Sequence, residues 1–171
     1  ENLGEIADLF DTFLLDAFGV LNVGDTAIAG AAQRAQMLKD MGKDVLVLTN
    51  GACFPAEQAL KKFLSFGIPL EIADIVSSRA ALAAAIPPLP DSGFWGVMST
   101  QNSHVETLGI PWKRLENDMS IYDAASGFIL LSTLEWTEAQ QMLLQESLAK
   151  VARPILVLSL IHISEPTRPL I

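Results

Sequence analysis

Cysteine is almost absent from this chain: Cys53 is the single one among 171 residues. No internal disulfide can form, and the composition suits a reducing compartment, so a cytoplasmic location is expected. Cationic residues are scarce as well, 11 lysines and arginines against 20 aspartates and glutamates for a net charge of −9, and no basic cluster exceeds Lys61-Lys62. That balance argues against nucleic acid as a partner, whose phosphate backbone needs a positive surface; the acidic surplus itself reads as a solvated exterior. Long apolar runs are missing. The longest, Ile155 to Ile161, is broken by Ser159 and falls far short of the roughly 20 residues of a membrane helix. Histidine occurs only at positions 104 and 162, and neither His104 nor His162 has a Cys, His or Glu at ligand spacing, which excludes a zinc motif. Gly19 and Gly24 have the wrong spacing for a dinucleotide fingerprint. The three tryptophans, Trp95, Trp112 and Trp136, are scattered and read as core residues rather than as a base-stacking platform. Cys53, with no histidine near it in sequence, reads as a small loop or core residue rather than a nucleophile.

What is present is a pair of short apolar runs, each ending on a polar residue and a glycine. Phe13-Leu14-Leu15-Asp16-Ala17-Phe18-Gly19 is the first, and Asp44-Val45-Leu46-Val47-Leu48-Thr49-Asn50-Gly51 the second. Both are too short for helices and read as buried parallel strands, each delivering a side chain at its carboxyl end, where open α/β sheets bind ligands. A carboxylate and a hydroxyl brought there by neighbouring strands suit phosphoryl chemistry. The carboxylate can attack phosphorus or hold a metal, while the hydroxyl and loop amides bind phosphoryl oxygens. Asn22 and Asp25, on the loop after the first strand, read as solvated turn residues.

Between the strands, Ala31, Ala35 and Leu38 recur at helical spacing, and Gly42 supplies the stop. After Thr49, Pro55 suits a first helical turn, Leu60, Phe63 and Leu64 form an apolar stripe, and Gly67 ends it. From about residue 72 the texture changes. Ser77 or Ser78 reads as the N-cap of the alanine-rich helix Arg79 to Ala85, stopped by Pro87-Pro88. Strands are expected at Phe94 to Ser99, Ser126 to Leu131 and, buried, Arg153 to Leu158. A short helix is expected from Ser103 to Leu108, and one to Lys150 opens on the capping-box pattern Thr137-Glu138-Ala139-Gln140. Residues 159–171 lose periodicity and resemble a translated sequencing adapter, so the natural chain is expected to end near Leu158.

Leu15-Asp16-Ala17-Phe18-Gly19-Val20-Leu21, Ile28-Ala29-Gly30-Ala31 and Leu48-Thr49-Asn50-Gly51 together resemble motifs of the haloacid dehalogenase superfamily, in particular subclass IIA, the NagD-like and p-nitrophenylphosphatase-like hydrolases. The resemblance spans residues 10 to 158. It implies an α/β fold: a truncated Rossmann-like core, a parallel sheet with flanking helices over residues 1–71, and an inserted α/β cap with the start of the return to the core over 72–158. It further implies a Mg²⁺-dependent hydrolase acting on a small phosphorylated metabolite, with Asp16 as nucleophile and metal ligand, the Phe18 backbone carbonyl as a second ligand, and Thr49, Asn50 and Gly51 holding the phosphoryl group. Oligomeric state stays open, a homo-oligomer included. Active relatives usually carry an aspartate at the position of Phe18, acting as general acid and base; phenylalanine can do neither. The alternative is therefore a non-catalytic phosphate- or metabolite-binding relative, and a weaker rival is a flavodoxin-like binding domain. By the same resemblance, late metal-binding aspartates lie downstream in the family, so this chain alone is expected to be inactive.

Overall fold

The computed structural model describes residues 3–51 and 54–158, so Cys53, His162 and the expected non-native tail lie outside the described residues. Two units are built from them, one from residues 3–51 and 55–80, the other from residue 54 and 81–158.

The first unit opens with α1 (Leu3–Ile6) and a 3₁₀ turn, Ala7–Leu9, then runs β1 (Thr12–Asp16), β2 (Asn22–Val23), β3 (Thr26–Ala27), α2 (Ala31–Asp40), β4 (Asp44–Thr49), α3 (Ala56–Ser65) and β5 (Ile75–Ser77). β1, β4 and β5 form a parallel sheet in the order β1-β4-β5, while β2 and β3 make a separate hairpin. Its core gathers Phe13, Val45, Val47 and Ile75 from the sheet with Ala35 and Leu38 of α2 and Phe63 of α3. Both helices end on left-handed glycines, as their stop signals predict: Gly42 N–H bonds to Lys39 O and Gly67 N–H to Leu64 O. Leu64, expected in the apolar stripe, is instead half-exposed.

β5 belongs to the first unit. Ile75 and Ser77 are buried and β5 pairs with β4 in the first unit's sheet, and the division between the two compact units falls inside α4 (Ser78–Ala85), between Ala80 and Ala81, a few residues beyond the position 72 where the cap is expected to begin. A three-residue strand is too short to display an alternating pattern, whereas the alanine-rich helix behind it is conspicuous. Ser77 is the cap of that helix, its Oγ accepting from Ala80 N–H at 3.1 Å.

The second unit continues with β6 (Trp95–Met98), a 3₁₀ turn at Val105–Leu108, β7 (Trp112–Arg114), α5 (Met119–Ala124), β8 (Gly127–Leu130), α6 (Glu138–Lys150) and β9 (Ile155–Val157). All four strands are parallel, in the order β7-β6-β8-β9. The capping box at Thr137 forms as expected, Gln140 N–H donating to Thr137 Oγ1 and Thr137 N–H to Gln140 Oε1. β9 departs from expectation: it is an edge strand of this sheet, and Ile155 and Val157 are about two-fifths exposed rather than buried.

Candidate active site

Asp16 is the last residue of β1 and Thr49 the last of β4, and because the two strands are adjacent and parallel, both stand at the same carboxyl edge. Asp16 is in register with Leu48, so Thr49 lies one step further along. Interstrand spacing and rise per residue then put the two backbones roughly 6 Å apart. The register also separates their faces. Asp16 and Leu48 share the exposed face, whereas Thr49 is in register with buried Ser77 on the helix-covered face. The pair therefore shares the carboxyl edge but not a face of the sheet.

Beyond Asp16 the chain turns tightly. The Ala17 carbonyl accepts from both Leu21 N–H and Asn22 N–H at 3.0 Å, and Gly19 N–H donates to Asn22 O at 2.8 Å. Gly19 has φ +84°, a left-handed conformation that glycine takes without steric cost. Phe18 rides on this turn and is 68% exposed, and no backbone N–H among the described residues is bonded to its carbonyl. The hairpin that follows was not anticipated, although Val23-Gly24-Asp25-Thr26 carries a two-residue turn signal of the Gly-Asp type. Asn22 is buried and donates through Nδ2 to Gly24 O at 2.7 Å, holding the turn closed, so it is not a solvated residue. Lys62 of α3 ties the hairpin tip down, with Nζ bonds of 2.8 Å to Gly24 O and 2.9 Å to Asp25 Oδ1. That hydrogen bond from Lys62, aided by its charge, holds the Asp25 carboxyl below its usual range.

On the second strand, Thr49 Oγ1 accepts from Gly51 N–H at 3.1 Å. A Cβ on Gly51 would stand 3.2 Å from that oxygen, so the close approach favours glycine. The bond occupies Thr49 as an acceptor and leaves its O–H as a donor. Asn50 and Gly51 are exposed.

Asp16 and the Phe18 carbonyl offer oxygen donors, the kind Mg²⁺ takes. Among the described residues no three His, Cys, Asp or Glu side chains cluster as a metal site. The donor chemistry suits the ion, with a single protein carboxylate to supply it. In the second unit, Trp95 is buried core as expected, and His104 precedes the 3₁₀ turn with its Nδ1 3.2 Å from Glu106 Oε1. No helix among the described residues is long and apolar enough to cross a membrane.

Residues 13–109 match the model of the haloacid dehalogenase-like hydrolase family. Phosphoglycolate phosphatase 2 of Arabidopsis thaliana is 34% identical over 83 residues, 48% of this chain and 28% of that protein. A possible sugar phosphatase of Cytophaga hutchinsonii superposes with a TM-score of 0.74 at 22% identity, covering 91% of this chain and 56% of that one. A glycerol phosphate phosphatase of Mycobacterium tuberculosis, solved in complex with magnesium, superposes with a TM-score of 0.65 at 16% identity, covering 91% of this chain and 45% of that one. The chain thus spans about half the length of these solved relatives, 56% of one and 45% of the other, and 28% of the plant enzyme.

Proposed function

Because the chain belongs to the haloacid dehalogenase-like hydrolases, in their subclass IIA, we propose that its first unit carries the nucleophile half of a phosphatase site for a small phosphate monoester. The observation that supports this most is the placement of Asp16 and Thr49 at one carboxyl edge on adjacent parallel strands. An Asp16 carboxylate oxygen attacks phosphorus, a bond forms to that oxygen, and the ester P–O bond breaks with its electron pair leaving on the alkoxide. The Thr49 hydroxyl and the Asn50 amide hold the transferring oxygens, joined by the Gly51 amide as it exchanges its bond to Thr49 Oγ1 for the phosphoryl group. Water then attacks phosphorus, inorganic phosphate departs, and the Asp16 carboxylate is restored. Mg²⁺, held by Asp16 and the Phe18 carbonyl, would neutralise phosphoryl charge. Phe18 supplies no proton to the leaving alkoxide, so hydrolysis of alkyl phosphates is slow.

With one carboxylate for the metal, the 171-residue chain turns over negligibly even with saturating Mg²⁺, and the full-length product of the gene is the active species. The test assays both on p-nitrophenyl phosphate and an alkyl phosphate, with and without Mg²⁺, beside Asp16→Asn. Magnesium-dependent turnover of the full-length protein that vanishes in Asp16→Asn is expected; turnover indifferent to that substitution overturns the reading. The exposed Phe18 ring in place of a general acid favours a second reading, a binding protein without turnover. Phe18→Asp separates the two. In a slow hydrolase it raises alkyl phosphate turnover more than aryl, by up to the roughly 10²-fold worth of acid catalysis, and in a binding protein it raises neither.

A further inference from the structure

We propose that residues 81–158 carry an oxyanion-binding site of their own, at the crevice between the carboxyl ends of β6 and β8, with Arg114 as its cation. This goes beyond the phosphatase reading and does not rest on Asp16.

The topology points there first. The chain leaves β6 for β7 on one side and then passes to β8 on the other, so β6 and β8 flank the point where the strand order reverses. Open parallel sheets bind ligands at that point, outside the strand ends. Both strands here run into the same pair of hydroxyl residues: Met98 is followed by Ser99-Thr100 and Leu131 by Ser132-Thr133. The ends are pinned together by Leu131 N–H donating to Met98 O at 2.9 Å. Ser99 is 2% exposed, and its Oγ is a buried polar atom with no hydrogen-bond partner among the described residues. A buried hydroxyl left unmatched is uncommon and marks a group that a ligand can satisfy.

Arg114 supplies the charge. At the end of β7 its Nη1 donates to Ser99 O at 2.6 Å and its Nη2 more weakly to Thr100 O at 3.4 Å, which brings the guanidinium against the loop that leaves β6. It carries no ion pair among the described residues. Arg153 in the same unit shows what a purely structural arginine looks like. All three of its nitrogens are engaged, Nε with Val151 O, Nη1 with Tyr122 O and Ala125 O, and Nη2 with Ser147 O and Oγ, and its guanidinium lies 5.0 Å over the Phe128 ring. A guanidinium has five N–H donors, so Arg114, partly buried and bonded to two carbonyls, retains donors in the fork geometry that suits a carboxylate or a phosphoryl group. The loop beside it is held in shape by the 2.7 Å bond between Thr100 Oγ1 and Ser103 Oγ. It then passes through His104, whose φ of 46° is the one left-handed non-glycine backbone among the described residues. Strain of this kind concentrates at binding loops.

The experiment titrates the ¹⁵N-labelled chain with inorganic phosphate and, separately, acetate, at constant ionic strength set with sodium chloride, following backbone amides and arginine Nε–H resonances by NMR. Saturable shifts at Arg114 Nε–H and at the amides of Ser99, Thr100, Ser132 and Thr133 are expected with at least one of the two anions. Arg114→Gln should weaken them about tenfold, Arg114→Lys less, and Asp16→Asn not at all. Shifts that grow linearly without saturating, equal shifts with chloride, or shifts confined to residues 17–19 and 49–51 overturn the proposal. The wild-type Arg114 resonance decides the matter if Arg114→Gln loses its dispersed spectrum. Loss of the full-length protein's phosphatase activity in Asp16→Asn, with these shifts intact in the Asp16→Asn chain, separates the two sites.

Discussion

The two units solve the same architectural problem differently. In the second, both faces of the central strands are covered: β6 is buried along its whole length, and two separate clusters, one around Trp95 and Ile129 and the other around Tyr122 and Phe128, pack with them. In the first, one cluster covers one face, and the opposite face shows Leu14 at 59%, Leu48 at 39% and Val76 at 46% exposure. Parallel sheets are ordinarily covered on both faces. The apolar runs of β1 and β4 are those of strands buried on both sides, yet only alternate residues are buried here. An uninterrupted apolar strand thus reports the environment its sequence suits, which a given stretch of chain need not supply.

If that contrast is right, the largest effects belong to the doubly covered sheet. Phe128 is fully buried and borders both Tyr122 and Arg153. Gly96 leaves room for it, since a Cβ there would come within 3.0 Å of the ring. Phe128→Ala should cost the second unit about 3–5 kcal/mol, through lost burial and an uncollapsed cavity. Urea unfolding followed by tryptophan fluorescence reads this directly, because all three tryptophans lie in that unit. A loss below about 1 kcal/mol would show a loosely packed sheet and break the comparison.

Much of this was legible in the chain itself, and the failures have physical causes. Capping chemistry is local, so Thr137 and Gln140 announced α6, and Gly42 and Gly67 the ends of α2 and α3. Asp16 and Thr49 were placed at strand ends for the same reason, as abrupt polar stops to apolar runs. β5 and β7, three residues each, are too short to carry a period and owe their strand state to the neighbours they pair with. The exposure of Leu14 and Leu48 depends on what packs over the sheet, which no local pattern encodes. Arg114 stood out in no motif, because its interest lies in two carbonyls fifteen and fourteen residues away.

An intermediate effect probes the edge of the singly covered sheet, where Asp74 sits just before β5. Burial raises its pKa, but hydrogen bonds from Lys39 Nζ at 2.7 Å and Glu71 N–H at 2.9 Å, with the lysine charge, outweigh that and leave the carboxyl below its usual 3.8. A folded pKa below the unfolded one stabilises the protein above pH 3.8, and the gain disappears as pH falls through the lower folded value. The first unit should therefore weaken below about pH 4. Asp74→Asn should cost up to about 1 kcal/mol at neutral pH and flatten the acid slope. Amide exchange of β4 and β5 followed from pH 6 to 3 measures both, and an unchanged slope in Asp74→Asn would remove this pair from the account.

The smallest effects belong to the open face, and their smallness is what sharpens the comparison. Val76→Thr keeps the branched shape that suits a strand while adding a hydroxyl that water can satisfy, and Leu14→Ser removes a side chain more than half in solvent. Little apolar area returns to water in either case, so each should change stability by no more than about 0.5 kcal/mol. Val47→Thr is the control: it places a similar hydroxyl on the buried face of the same sheet, where Val47 is fully buried. An unmatched hydroxyl there costs about 1–3 kcal/mol. Lower binding of a hydrophobic dye by the Leu14→Ser, Val76→Thr double variant, with an unchanged melting temperature, is the expected result. A double variant that melts as early as Val47→Thr would mean that the open face is covered in solution, and the contrast between the two sheets would have to be withdrawn.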